Sequence, residues 1–212
     1  MNKQIAKDLL DIGAVFLRPN EPFTWASGIK SPIYCDNRLV LSEPEVRGRI
    51  AQAMAETVRE SFPGCQALFG TATAGIAHAA IAAYLLGMPM GYVRSGAKDH
   101  GRGNRIEGKL EPGQRVVVVE DLISTGSSAL ESAAALREAG ADVLGVACIF
   151  TYGMAKGIKR FKEAGLRLEA LTDFDTLIEV AASTGGIRGD DTPSLRAFRD
   201  NPDDVSWMMF ML

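Results

Sequence analysis

The chain has 212 residues, 47% hydrophobic and 23% charged, with a net charge of −3. That length can bury one substantial core, and the acidic balance argues against general duplex binding, which calls for a basic surplus. Cys35, Cys65 and Cys148 are odd in number and form no CxxC pair, so neither a disulfide framework nor a zinc site is expected.

Residues 2–12 read as a short amphipathic helix with Ile5, Leu9 and Ile12 on one face and Gly13 closing it. Charges run through its apolar positions, unlike a signal peptide, and no apolar run in the chain reaches the length of a membrane span. The expectation is a cytoplasmic protein with no membrane and no nucleic-acid partner. Residues 14–36 alternate polar with apolar and are rich in turn formers, which predicts short strands or a hood. Ser42 and Glu45 have the spacing of a capping box, with Pro44 in the first turn, and predict a helix that ends before Pro63-Gly64.

Strand and helix then alternate. Strands are predicted at 67–70, 90–93, 116–119, 143–150 and 166–171, and helices at 75–86, 127–139, 156–164 and 174–182. Residues 95–111 are polar and glycine-bearing and predict a long loop. Thr192-Pro193 looks like the start of a last short helix, and Trp207 to Phe210 like an apolar end that packs on the body or on a partner subunit. This order predicts an α/β protein with a central parallel sheet flanked by helices, as one domain over 1–212. The hood lies mainly in 1–40, with a contribution from the C-terminal segment, and the core over about 41–183.

The most informative run is VVVVEDLISTGSS, residues 116–128. A buried strand leads into two carboxylates, Glu120 and Asp121. A loop of small hydroxyl residues with one glycine follows, and then a helix begins. In open α/β sheets ligands sit at the carboxyl ends of strands, and loop amides at a helix N-terminus make a seat for a phosphate dianion. Ser124, Thr125, Ser127 and Ser128 add hydroxyl donors, and Gly126 lets backbone come close. Adjacent acids are poor phosphate ligands. They suit the 2- and 3-hydroxyls of a ribose, and they place negative charge beside a sugar that becomes oxocarbenium-like. The run is not a Walker loop, because it has neither that glycine spacing nor the lysine.

This run resembles the PRPP (phosphoribosyl pyrophosphate) signature of the type I phosphoribosyltransferases. The resemblance implies that family's fold, with ribose held by Glu120 and Asp121 and the 5-phosphate by Ser124, Thr125, Gly126, Ser127 and Ser128. Three more segments, in the family's order, narrow it to the orotate phosphoribosyltransferases. SGIKSPIY at 27–34 is similar to the hood motif, with Lys30 and Tyr34 as substrate-binding candidates. LFGTATAGI at 68–76 is similar to the pyrophosphate loop, which gives Thr71, Ala72 and Thr73. YVRSGAKDHG at 92–101 is similar to the mobile catalytic lid, which gives Arg94, Lys98 and His100. The likeness spans residues from about 10 to about 180.

It implies a Mg²⁺-dependent transferase acting on PRPP and orotate in pyrimidine biosynthesis, as a homodimer whose lid serves the neighbouring subunit. Mg²⁺ would ride on phosphate oxygens rather than in a protein cage. His78, on an alanine-rich helix, reads as structural. The chain departs from many relatives at Ala74, Ser95 and Tyr152, each standing where a basic residue is common. The alternatives are a type I enzyme for another base, a PRPP-sensing nucleic-acid-binding regulator, and a flavodoxin-like scaffold. The hood and lid motifs, the acidic balance and the signature argue against the three in turn.

Overall fold

The computed structural model describes residues 2–24, 28–96 and 105–210, the last two of these by backbone alone. Helix α1 (Asn2–Asp11) is followed by short strands β1 (Val15–Leu17), β2 (Phe23–Thr24), β3 (Lys30–Ser31) and β4 (Ile33–Cys35). These strands pair antiparallel as two small ribbons, β1 with β4 and β2 with β3, and form the hood. A 3₁₀ turn over Asn37–Ser42 leads into α2 (Pro44–Ser61).

The body then runs β5 (Ala67–Thr71), α3 (Ala74–Leu86), β6 (Met90–Val93), β7 (Ile106–Glu107), β8 (Arg115–Ile123), α4 (Ser127–Glu138), β9 (Asp142–Thr151), α5 (Ala155–Glu163), β10 (Arg167–Asp173), α6 (Phe174–Ser183) and α7 (Thr192–Asp200). The main sheet has the order β10-β9-β8-β5-β6-β7. Its pairs are parallel except for β7, which lies antiparallel on the β6 edge.

Four consecutive valines suit β8 because both faces of the sheet are covered. Val117 and Val119 face a core with α2 and α3. Val116 and Val118 face a second core with α4 and α5. Helix α1 is tied to α2 by a two-pronged ion pair, in which Arg49 donates from Nε and Nη2 to the buried Asp8 carboxylate at 2.9 Å each. The C-terminal end packs on the body, with Trp207 buried edge-on against Phe198 and its carbonyl accepting from Ser194. Cys65 and Cys148 are buried free thiols.

Four expectations need correction. Ser42 and Glu45 do not form a capping box: the 3₁₀ turn uses Ser42 as its last residue, so Glu43 becomes the N-cap, with no side-chain bond, and Pro44 enters the first turn. The stretch 95–111 is not all loop, because Ile106 and Glu107 return beside Val93 and Tyr92 as β7. Strand β8 does not stop at Val119 but runs on through both acids to Ile123, held by β9. The last helix takes Asp191, not Thr192, as its N-cap.

Candidate active site

Strands β5 and β8 lie side by side, with Gly70 near the carboxyl end of β5 opposite Val119 in parallel register. Each leads into a loop and then into the N-terminus of a helix. Helix α3 is pressed on β8 so closely that a Cβ on Gly75 would sit 2.3 Å from the Val119 carbonyl oxygen. Only glycine fits there, and its absence of a side chain brings the two loops together.

The β8–α4 loop forms a small concavity of about 70 Å³ lined by Glu120, Ser124, Thr125, Gly126, Ser127 and Ser128. Gly126 caps α4 in the left-handed region, φ +75°, and a Cβ there would meet the Phe161 ring at 2.5 Å. Thr125 Oγ1 and Ser127 Oγ lie 3.2 Å apart. The main chain is anchored where Tyr152 N–H donates to the Ile123 carbonyl at 2.9 Å. Thr71 and Ala72, from the β5–α3 loop, share a second cavity of about 70 Å³ with Ser95, Arg105 and Ser128. The five loop residues and Glu120 thus line one concavity, with Thr71 and Ala72 next to them, while Asp121 adjoins Glu120 without lining it. Thr73 caps α3 just behind.

Glu120 is buried, and Asp121 is half-buried beside it. Burial, followed by the Asp121 charge, pushes the Glu120 carboxyl up to about 8, although the Asp121 N–H and the Thr71 hydroxyl favour its charged form. Asp121 is also held from the hood. The buried Asn37 donates from Nδ2 to the Asp121 carbonyl at 2.8 Å, and Cys35 Sγ donates to Asn37 Oδ1 at 3.3 Å. Burial, followed by the charges of Asp121 and Asp36, raises the Cys35 thiol well above its ordinary range. Sequence reasoning did not single out Asn37, which carries no motif.

The hood presents Tyr34, 43% exposed, with its ring 5.8 Å from that of Phe23. Tyr152 is buried between Phe150 and Phe174. Burial, followed by nearby Cys35 and Tyr34, raises its hydroxyl, which puts the end of β9 next to the hood. Lys30 donates to Thr24 Oγ1 at 2.7 Å within its own hairpin. The preceding Ile29 lines a cleft of about 340 Å³ with Ser124 and Thr125. Arg94 lies at the foot of the lid segment, 3.8 Å from Glu107, and its backbone pairs with Arg105. Lys98 and His100 lie outside the described residues, as does Ser27 of the hood motif. His78 is buried on α3, and desolvation pushes its imidazole down, which accords with a structural residue.

No helix is long and apolar enough to cross a membrane, among the described residues. Residues 40–172 match the phosphoribosyl transferase domain family. The chain is 59% identical over 203 residues to the orotate phosphoribosyltransferase of Bacillus subtilis, covering 96% of this chain and 94% of that one. It is 56% identical over 204 residues to the Listeria monocytogenes enzyme of the same name, covering 96% and 98%. The crystal structure of orotate phosphoribosyltransferase from Aeropyrum pernix superposes with a TM-score of 0.74 at 31% identity, covering 86% of this chain and 99% of that one. With the strand-end acids, the hydroxyl loop and the hood already in place, these matches make the chain a member of the orotate phosphoribosyltransferase family.

Proposed function

We propose that the chain transfers the 5-phosphoribosyl group of PRPP to orotate, releasing pyrophosphate and giving orotidine 5-monophosphate in pyrimidine biosynthesis. The observation that carries this reading is the pairing of two seats at adjacent strand ends, one hydroxyl-rich beside a carboxylate pair and one at Thr71-Ala72-Thr73. A ligand with a phosphate at one end, a sugar diol in the middle and a pyrophosphate at the other fits that layout.

In this reading Ser124 to Ser128 hold the 5-phosphate with loop amides, hydroxyls and the α4 N-terminus. Glu120 and Asp121 accept from the ribose hydroxyls, and Asp121 places negative charge beside the sugar carbon as it becomes cationic. The bond from that carbon to pyrophosphate breaks, and a bond to the orotate ring nitrogen forms. Thr71, Ala72 and Thr73 receive the pyrophosphate, with Arg94, Lys98 and His100 closing over it and excluding water. Lys30, Tyr34 and the hood backbone hold the orotate ring.

Mg²⁺ would ride on the phosphate oxygens of the ligand and keep several waters, a mode that asks for no protein cage. Bound Mg²⁺ would neutralise the leaving pyrophosphate.

Residues 1–212 act as one unit in this proposal, in the cytoplasm, as a homodimer whose lid reaches the partner's site. In this reading orotate is held without the cationic partners that relatives place at Ala74, Ser95 and Tyr152.

The test is a phosphoribosyl-transfer assay with PRPP and Mg²⁺ across free bases. Orotate should be consumed, and a chelator should stop the reaction. Turnover of uracil, adenine or hypoxanthine with none of orotate would overturn the acceptor assignment.

A further inference from the structure

The phosphate loop contains no cation, since residues 124–128 are Ser, Thr, Gly, Ser and Ser. It also sits beside two acids, in a chain of net charge −3. Amides, hydroxyls and one helix terminus supply partial charges only. A full positive charge lies directly behind the loop, on a helix that no motif marks.

Helix α5 turns one face to the loop, built from Gly157, Arg160 and Phe161 at i, i+3 and i+4 spacing. A Cβ on Gly157 would stand 2.6 Å from the Ser124 carbonyl oxygen, and the Phe161 ring fills the space beneath Gly126. Arg160, between them, donates from Nη1 to Ser127 Oγ at 2.6 Å and to the Thr125 carbonyl at 3.2 Å. Among the described residues it is the only cationic side chain hydrogen-bonded to the loop. Lys156, Lys159 and Lys162 of the same helix are exposed.

The direction of the Ser127 bond has a consequence. A guanidinium only donates, so the Ser127 oxygen must accept. Its own proton is then free to point elsewhere, toward Thr125 Oγ1 at 3.2 Å or toward a phosphate oxygen seated in the loop. We propose that Arg160 is a positioning residue for the ribose 5-phosphate: it fixes Ser127 as a hydrogen-bond donor and places a positive charge behind the phosphate seat. This rests on the reading of PRPP as substrate, and it assigns Arg160 no contact with the reacting carbon.

The experiment measures binding of two ligands that divide PRPP between them, ribose 5-phosphate and inorganic pyrophosphate with Mg²⁺, by calorimetry on the full chain. Arg160→Gln should weaken ribose 5-phosphate by about tenfold or more, the scale of a charge-assisted bond, and leave pyrophosphate nearly unchanged. KM for PRPP should rise with it, while kcat changes far less. Arg160→Lys should recover part of the loss, because the charge returns without the fork. In a Ser127→Ala background Arg160→Gln should cost less than it does alone, since the two act through one bond.

Equal ribose 5-phosphate affinity in wild type and Arg160→Gln would overturn the proposal. So would equal weakening of both ligands, or additive effects with Ser127→Ala, each of which marks a merely structural arginine. If the wild type binds neither ligand, the PRPP reading itself has failed, and the two failures are told apart. Should Arg160→Gln not fold, the Arg160→Lys variant carries the same comparison.

Discussion

Asn37 Nδ2 donates to the Asp121 carbonyl oxygen at 2.8 Å, a bond that spans 84 positions of sequence and joins the hood to the strand bearing the acids. Asn37 has no exposed surface, so loss of its amide leaves a carbonyl without that partner in a closed space. Asn37→Ala should cost about 1–3 kcal/mol of stability, the usual penalty for such a group. It should also lower kcat/KM for PRPP, because the Asp121 backbone is freed. Denaturant titration with parallel kinetics checks both; full stability and full activity together would show that the bond positions nothing.

In the proposed reading Asp121→Asn removes the charge beside the developing sugar cation and keeps the shape. The rate should fall by roughly a hundredfold or more, corresponding to about 2–4 kcal/mol, with the fold intact by circular dichroism. Ser127→Glu should act differently, raising KM for PRPP by putting an anion where the 5-phosphate belongs. Near-normal kinetics in both variants would remove the β8 end from the site.

The Glu120 carboxyl has an ordinary value of 4.5 and is raised to about 8 in the folded protein, by burial first and by Asp121 second. Between those two values the folded state binds more protons than the unfolded one. Its contribution to stability is therefore full below the lower value and is lost as pH rises toward the upper one. Glu120→Gln cannot titrate, so its melting temperature should gain on the wild type's as pH rises from about 5 to about 8. Parallel melting curves against pH would mean that Glu120 titrates in the ordinary carboxylate range.

Gly126→Ala meets two obstacles, the left-handed φ of +75° and the Phe161 ring at 2.5 Å. The variant should lose about 1–3 kcal/mol and bind PRPP more weakly. Combined with Phe161→Ala the costs should add to less than their sum, because the clash disappears and the backbone strain stays. Strict additivity in a double-mutant cycle would show that the ring does not limit the turn.

If the lid serves the partner subunit, Lys98→Ala damages the neighbouring site and Asp121→Ala its own. Refolding the two inactive variants together in equal amounts makes about half the dimers mixed, and roughly a quarter of all sites should recover. Activity no greater than that of the separate homodimers, with exchange confirmed by mass, would place Lys98 in its own chain's site or in none.

What could be read in advance was set by local pattern. The run from Val116 to Ser128 declares a buried strand, acids, a loop and a helix in thirteen consecutive residues, and the structure assembles them in that order. Asn37 and Arg160 were not legible. Asn37 acts across 84 positions, and Arg160 sits in the basic run Lys159-Arg160-Phe161-Lys162, where neighbours of the same charge are exposed. Which of several cations faces inward depends on packing against Ser124 and Gly126, and that is a tertiary fact. The extension of β8 to Ile123 was hidden for a related reason, since acids and turn-forming residues do not suggest strand until β9 holds them. The edge strand β7 is only two residues long and gives no periodicity to detect.

The contact of Gly75 with the Val119 carbonyl has a consequence for how the site can evolve. The spacing between the β5–α3 and β8–α4 loops is set by main chain against main chain, with no side chain in the joint to exchange. In the proposed reading the body of the protein therefore works as a gauge of fixed span matched to one donor molecule. On that reading new acceptor preferences come from the hood, where Thr24, Lys30 and Tyr34 are exposed.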